Sequence, residues 1–246
     1  MNLVDLKDKH VLVTGASSGI GRAISILCSK LGAVVTISGR NEMRLNKTLA
    51  SLSGEGHVSL CCDLTSSDSV KDMIEKISLL DGIVFCAGVQ ETCLTKNVDE
   101  RVLDKLMNTN FNSTILLNSQ LLKRKKINKN ASIVFISSVA ATRCAEIGNA
   151  IYSSTKAALV SYARVLSLEL APRRIRVNTV SPGMIQTPLL KQFEMSEEQF
   201  RADEKKYPLG YGTPEDVANI VAFLLSDATK WMTGSDIVID GGLTLK

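Results

Sequence analysis

Aromatic residues make up only 4% of this 246-residue chain, with a single tryptophan, whereas hydrophobic residues reach 45%. An interior so short of rings has to be built from Val, Ile, Leu and Ala, the composition of a parallel sheet covered by helices on both faces. Histidine is scarcer still, with His10 and His57 alone. The six cysteines (Cys28, Cys61, Cys62, Cys86, Cys93 and Cys144) include no C-x-x-C pair. No metal site is therefore expected, and most of the cysteines read as reduced core residues. No apolar run approaches the ~18 residues of a membrane span. The first nine residues, Met1 to Lys9, carry charge where a signal peptide needs an apolar run, so a cytoplasmic protein is expected. The net charge of +4 is too mild to argue for nucleic acid. No repeat, Gly/Ser linker or low-complexity tract divides residues 1–246, which read as one domain.

Seven short β-branched runs recur along the chain: Val11–Val13, Val34–Ile37, Val58–Leu60, Ile83–Phe85, Ile133–Ile136, Ile175–Val177 and Ile237–Ile239. Several lack polar alternation, as strands buried on both faces do. Helical periodicity separates them, as in Ile20–Leu31, Val70–Leu79, Ala157–Leu170 and Pro214–Leu225, the last with Thr213 as its cap. Strands alternating with helices imply βαβ units and a parallel sheet, an α/β doubly wound fold. The stretch from about 184 to 211 breaks this rhythm and is either a lid or a plain surface excursion.

Thr14-Gly15-Ala16-Ser17-Ser18-Gly19-Ile20-Gly21 follows the first strand and opens the first helix. Gly15 permits a tight turn, Gly19 lets backbone approach a pyrophosphate, and Gly21 lets the helix pack close to the sheet. The free N–H groups of the helix start then face phosphate charge. Further on, Tyr152 and Lys156 share one helix face, fourteen residues after Ser137-Ser138. Together these features describe a site that holds a dinucleotide and moves a proton.

The spacing Gly15-x-x-x-Gly19-x-Gly21 resembles the short-chain dehydrogenase/reductase family. So do Asn110, Ser138, Tyr152-x-x-x-Lys156, Asn178-x-x-Ser181-Pro182-Gly183 and Asp240-Gly241-Gly242, in that order along nearly the entire chain. The resemblance implies a Rossmann fold with a seven-stranded parallel sheet and hydride transfer between a nicotinamide cofactor and a carbonyl or alcohol. It implies Asn110, Ser138, Tyr152 and Lys156 as catalytic groups. Tyr152 exchanges the proton, with its pKa lowered by the Lys156 ammonium. Ser138 holds the reacting oxygen, although Ser137 beside it could also reach the cleft. Lys156 bonds the nicotinamide ribose, and Asn110 kinks a helix and holds a relay water.

The cofactor contacts implied are Gly15, Ser17, Ser18, Gly19, Ile20, Gly21, Asp63 and Leu64 at the adenosine half. Ala87, Gly88, Asn110, Tyr152, Lys156, Pro182, Gly183, Ile185 and Thr187 follow near the nicotinamide. The second strand ends Ser38-Gly39-Arg40, with Gly39 where NAD-using relatives tend to carry Asp. Arg40 offers a planar fork for a 2′-phosphate, so the expectation is NADP. Two departures stand out. The family's Asn-Asn-Ala-Gly appears as Phe85-Cys86-Ala87-Gly88, which puts the sheet's local hydrogen bonding in question. The Ser138–Tyr152 interval is one residue longer than in many relatives.

The nearest subgroup is the 3-oxoacyl-[acyl-carrier-protein] reductases, which implies 3-oxoacyl thioesters as substrates. A sugar or polyol dehydrogenase is the alternative within the family, and a non-catalytic nucleotide sensor or scaffold the alternative outside it. The basic strip Lys123-Arg124-Lys125-Lys126 with Lys129, joined by Arg173-Arg174, reads either as a solvated helix end or as a dock for an acidic acyl carrier protein. The resemblance also implies a homotetramer or homodimer. Helices over about 104–123 and 153–170 would form one interface and the C-terminal strand another.

Overall fold

The computed structural model describes residues 4–188, 190 and 196–245. Seven strands, β1 (His10–Thr14), β2 (Val34–Gly39), β3 (Val58–Cys61), β4 (Leu80–Phe85), β5 (Ile127–Ile136), β6 (Arg176–Pro182) and β7 (Asp236–Ile239), form one parallel sheet in the order β3-β2-β1-β4-β5-β6-β7. All seven predicted runs are strands. The chain order reverses between β1 and β4, and in a doubly wound sheet the crevice beyond the strand ends at such a reversal is where ligands bind.

The helices are α1 (Gly19–Lys30), α2 (Glu42–Leu49), α3 (Ser67–Lys76), α4 (Glu100–Met107), α5 (Ser113–Lys123), α6 (Ala150–Leu170), α7 (Glu197–Glu204) and α8 (Pro214–Leu225). Strand alternation sorts the core into two layers. Val11, Val13, Val134 and Ile136 pack with α1 and α8 on one face. Leu12, Ile83, Ile133 and Phe135 pack with α3, α5 and α6 on the other. The predicted cap of α8 is present, as Thr213 and Asp216 bond each other's backbone N–H in a capping box. The helix expected over Val70–Leu79 ends at Lys76, because β4 begins at Leu80.

Between α4 and α5 the chain makes a π-helical turn over Asn108–Asn112 and continues without a break. Such turns inside α-helices re-aim the side chains they carry. Here the turn delivers Asn110, fully buried, against the loop after β4.

The doubt over Phe85-Cys86 is answered by Thr14. Its hydroxyl accepts from the Cys86 and Ala87 N–H groups at 3.1 and 3.2 Å and donates to the Val84 carbonyl at 3.4 Å. Phe85 stacks on Phe135 with ring centroids 4.8 Å apart, and Tyr162 meets Phe135 edge-on. The Thr14 hydroxyl thus ties the end of β1 to the backbone leaving β4, while the Phe85 ring fills the core.

Asn178 and the Asp240-Gly241-Gly242 turn secure the C-terminal edge. Asn178 donates to Met232 O and accepts from Ser235 N, and Asp240 accepts from the N–H groups of Gly242 and Thr244. No helix among the described residues is long and apolar enough to cross a membrane.

Candidate active site

A cleft of about 520 Å³ runs along the carboxyl ends of the strands, across the β1–β4 reversal. Gly15, Ser17, Ser18, Gly19, Ile20 and Gly21 line it. Gly15 has φ +69°, and a Cβ there would lie 2.8 Å from the Ala87 backbone. A Cβ on Gly21 would lie 2.5 Å from the Gly15 carbonyl oxygen. Both positions therefore exclude larger residues, and the turn, the β4 loop and α1 close-pack as the motif requires. Ser18 caps α1 without using its hydroxyl, so the first-turn N–H groups are open to an anion in the cleft.

Arg40, Asp63 and Leu64 line the adenosine end. Asp63 bonds the Thr65 N–H and hydroxyl through Oδ1, which holds its carboxyl below the usual carboxylate range. Arg44, from the first turn of α2, joins Arg40 at the cleft wall. Nothing in the local sequence distinguished Arg44 from a surface residue. Gly39 has an ordinary backbone conformation, and a Cβ there would meet only van der Waals contacts at 3.5 Å.

At the other end Ala87, Gly88, Tyr152, Lys156, Pro182, Gly183, Ile185 and Thr187 all line the cleft. Lys156 is buried, and its Nζ donates to Ile136 O at 2.9 Å while standing 5.8 Å from the Tyr152 ring centroid. Burial pulls the Lys156 pKa down to about 8.

Tyr152 departs from the expected direction. Burial pushes its phenol up to about 12, the Ser138 hydroxyl pulls it down, and the Glu146 carboxylate pushes it further up. Among the protein's own groups, burial is the largest influence on this phenol.

Ser137 and Ser138 both line the cleft but bond differently. Ser137 donates to Lys156 O at 3.0 Å and is 4% exposed, a structural tie. Ser138 accepts from Ala140 N at 3.2 Å and acts on the Tyr152 phenol.

Asn110 is the one predicted site residue that does not line the cleft. It sits behind it, with Oδ1 accepting from Val89 N at 2.8 Å and Nδ2 donating to Val89 O at 2.9 Å and to the Thr155 hydroxyl at 3.2 Å. Thr155 in turn donates to Tyr152 O at 2.7 Å. Asn110 thus ties the β4 loop to α6, and Thr155, unmarked in the sequence, is the link.

Ile185 forms an isolated bridge with Gly212, in which Gln186 N donates to Gly212 O and Gly212 N to Met184 O. Ile185's own N–H and C=O stay outside those bonds. Tyr207, which sequence reasoning missed, closes the cleft beside Gly183. The predicted substrate-loop region, about 184–211, includes α7, capped by Ser196 and Gln199. Its residues 189 and 191–195, Phe193 included, lie outside the described residues.

The basic strip is displaced from this site. It surrounds the amino end of β5, whereas the cleft lies at the carboxyl end, a ten-residue strand of roughly 30 Å away. Lys126 donates to Ile77 O at 2.5 Å and Arg124 stands 3.9 Å from Glu75, so part of the strip completes the ends of neighbouring elements.

A glycine cradle at the switch point of a doubly wound sheet, with a tyrosine and lysine at its far end, defines a dinucleotide-dependent oxidoreductase. The chain belongs to the short-chain dehydrogenase/reductase family, whose members act on CH–OH and C=O groups with a nicotinamide cofactor. A family model described as enoyl-(acyl carrier protein) reductase matches residues 15–244. The 3-oxoacyl-[acyl-carrier-protein] reductase FabG of Rickettsia felis is 37% identical over 244 residues, covering 99% of this chain and 100% of that one. FabG of Thermotoga maritima is 33% identical, covering 98% and 99%. Among solved structures, a short-chain dehydrogenase/reductase from Brucella melitensis described as glucose/ribitol dehydrogenase superposes with TM-score 0.89 at 31% identity, covering 98% of each chain.

Proposed function

We propose that this protein is an NADPH-dependent carbonyl reductase acting on 3-oxoacyl thioesters, with Tyr152 as the proton donor. One observation carries the reading: Tyr152, Ser138 and Lys156 converge at one end of a cleft whose other end is walled by Arg40 and Arg44, with glycine at 39. Two guanidinium groups suit a 2′-phosphate, and no side chain at position 39 claims the ribose hydroxyl.

The cradle fits the cofactor. Gly15 and Gly21 let the turn, the β4 loop and α1 close up beneath the cleft, and Gly88 leaves Asn110 and Lys156 unobstructed. Ser17, Ser18, Gly19 and Ile20 offer backbone N–H groups and hydroxyls to the pyrophosphate, and Asp63 and Leu64 flank the adenine. Pro182, Gly183, Ile185 and Thr187 hold the nicotinamide end, with the unengaged Ile185 backbone for the carboxamide. The bound cofactor supplies the hydride.

Ser138 donates to the substrate carbonyl oxygen and fixes it beside the phenol. Tyr152, neutral at physiological pH, protonates that oxygen as negative charge develops on it. Lys156 keeps the site positive, bonds the ribose and offsets the phenolate left behind. Asn110 holds the loop and helix that frame these groups.

The similarity to 3-oxoacyl-[acyl-carrier-protein] reductases supports the thioester substrate and an acyl carrier protein as its bearer. The basic strip faces away from the chain's own cleft, so its use as a dock depends on a neighbouring subunit presenting it to a second cleft. Leu116 on α5 and Val165 and Leu168 on α6 are more than half exposed, which supports assembly through those helices into a homodimer or homotetramer. Sugar or polyol reduction remains the second reading, favoured by the acceptor groups of Glu146 and Asn149 at the substrate end. A nucleotide sensor has no need of Tyr152, Ser138 and Lys156 converging.

Purified protein with acetoacetyl-acyl carrier protein and either NADPH or NADH tests the proposal. Rapid oxidation preferring NADPH is expected. NADPH binding without oxidation overturns the thioester substrate, and a preference for NADH overturns the role of the arginines.

A further inference from the structure

The substrate end of the cleft carries a carboxylate that the reaction does not require. Glu146, in the loop between β5 and α6, lines the same cleft as Tyr152 and Ser138. Its Oε2 accepts from the Asn149 amide at 2.7 Å, and the Asn149 Oδ1 accepts from Gln90 Nε2 at 3.3 Å. Asn149 is 4% exposed and Gln90 half-buried, so a fixed amide pair holds the exposed Glu146 carboxylate at the rim of the cleft.

Among the described residues no salt bridge reaches Glu146. The nearby Lys206 ammonium is held by Asp203 at 2.6 Å. Glu146 lies near enough to Tyr152, Tyr207 and Cys144 to raise the pKa of each, after the larger effect of burial. Arg40 and Arg44 wall one end of the cleft, while the other pairs the buried Lys156 ammonium beside Tyr152 with the Glu146 carboxylate at the rim.

We propose that Glu146, braced by Asn149 and Gln90, is the specificity-determining residue that makes the site reject 3-oxo acids as free carboxylates and accept them as neutral thioesters, esters or amides. A free 3-oxo acid bound with its carbonyl at Tyr152 would bring its carboxylate into the same part of the cleft as Glu146. Like charges brought together at the cleft rim weaken binding, most strongly at low salt. A thioester is neutral around the reacting carbon, and amide N–H groups further along its arm find acceptors in the Glu146 and Asn149 oxygens. This deepens the reductase reading and rests on it for the choice of 3-oxo substrates.

The test compares acetoacetate with its neutral ethyl ester and amide in the wild type, Glu146→Gln and Glu146→Lys. Glutamine is isosteric and still accepts from Asn149, so the loop is retained. The wild type should reduce the ester with a kcat/KM far above that of the anion. Glu146→Gln should narrow that ratio on the order of tenfold, mainly through KM for the anion, and Glu146→Lys should narrow it further or invert it. Equilibrium binding of acetoacetate and of acetoacetamide to the protein with NADP⁺, followed by titration calorimetry, gives the same comparison without turnover. Absent turnover with an anion affinity that rises in Glu146→Gln overturns the reductase reading and keeps the role of Glu146. An ester-to-anion ratio that is the same in all three proteins, in turnover and in binding, overturns the role of Glu146.

Discussion

Asn110 and Val89 exchange two hydrogen bonds, side-chain amide to backbone in both directions, at 2.8 and 2.9 Å. One residue on a π-turn thereby acts as a strand segment for the loop leaving β4, and the same amide reaches Thr155 on the helix that carries Tyr152 and Lys156. Cofactor wall and candidate proton donor are held in register by this one side chain. Asn110→Ala removes both bonds and strands polar groups away from water, at a cost of about 2–4 kcal/mol. Denaturant unfolding should show that loss, and turnover should fall more than cofactor affinity. Full stability would refute the tie.

Cofactor choice is expected to follow position 39. Gly39 tolerates a Cβ without strain, so Gly39→Asp should fold normally and place a carboxylate beside Arg40. The NADPH-to-NADH ratio of kcat/KM should fall by roughly 10- to 100-fold, as an acid repels the 2′-phosphate and bonds a ribose hydroxyl. Parallel kinetics with both cofactors checks this, and an unchanged ratio contradicts the arginine wall.

Much of this was legible in the residues. The glycine turn, the seven β-branched runs and the Thr213 cap stand where the pattern puts them, because turn geometry, strand burial and capping are local physics. The resemblance implied a helix kink at Asn110, and a π-turn stands there, but the pairing of Asn110 with Val89 was not legible, since that partner lies twenty-one residues away. Nor was the role of Thr14, whose hydroxyl bonds the backbone of Val84, Cys86 and Ala87 at the end of a strand seventy residues away. Arg44 and Tyr207 read as ordinary surface and loop residues until the fold turned them into the cleft. The direction of the Tyr152 shift failed for the same reason: motif spacing gives the neighbouring ammonium, whereas burial belongs to the assembled site.

Lys156 carries a stability cost. Its pKa, pulled down to about 8 from the ordinary 10.5, means that the unfolded chain holds the proton more tightly. The penalty is fully present below pH 8 and is relieved as pH rises from 8 towards 10.5. Lys156→Met should therefore abolish turnover yet stabilise the fold at pH 7 by about 1–2 kcal/mol, after allowing for the lost bond to Ile136 O. That advantage over the wild type should shrink between pH 8 and 10.5. Unfolding curves of both proteins across that range measure it, and a constant difference would contradict a charged, buried lysine.

Thiol reactivity should map the adenosine end. Cys61 is exposed, with its Sγ 3.6 Å from Arg40 O, whereas Cys28 is buried and pushed up to about 12. A thiol reagent at pH 7.5 should modify Cys61 rapidly and Cys28 only on unfolding. NADPH should slow the Cys61 reaction, read by peptide mass mapping, because it occupies the wall beside Arg40. Equal rates with and without NADPH would place the cofactor elsewhere.

The most direct test of the account is Tyr152→Phe, which removes one hydroxyl from a half-buried ring and leaves the wall intact. NADPH affinity, followed by cofactor fluorescence, should stay within a few-fold of the wild type. Reduction of acetoacetyl-acyl carrier protein should fall by roughly 10²- to 10⁴-fold, the contribution of a positioned general acid. Turnover undiminished in Tyr152→Phe would contradict the central claim that the tyrosine delivers the proton.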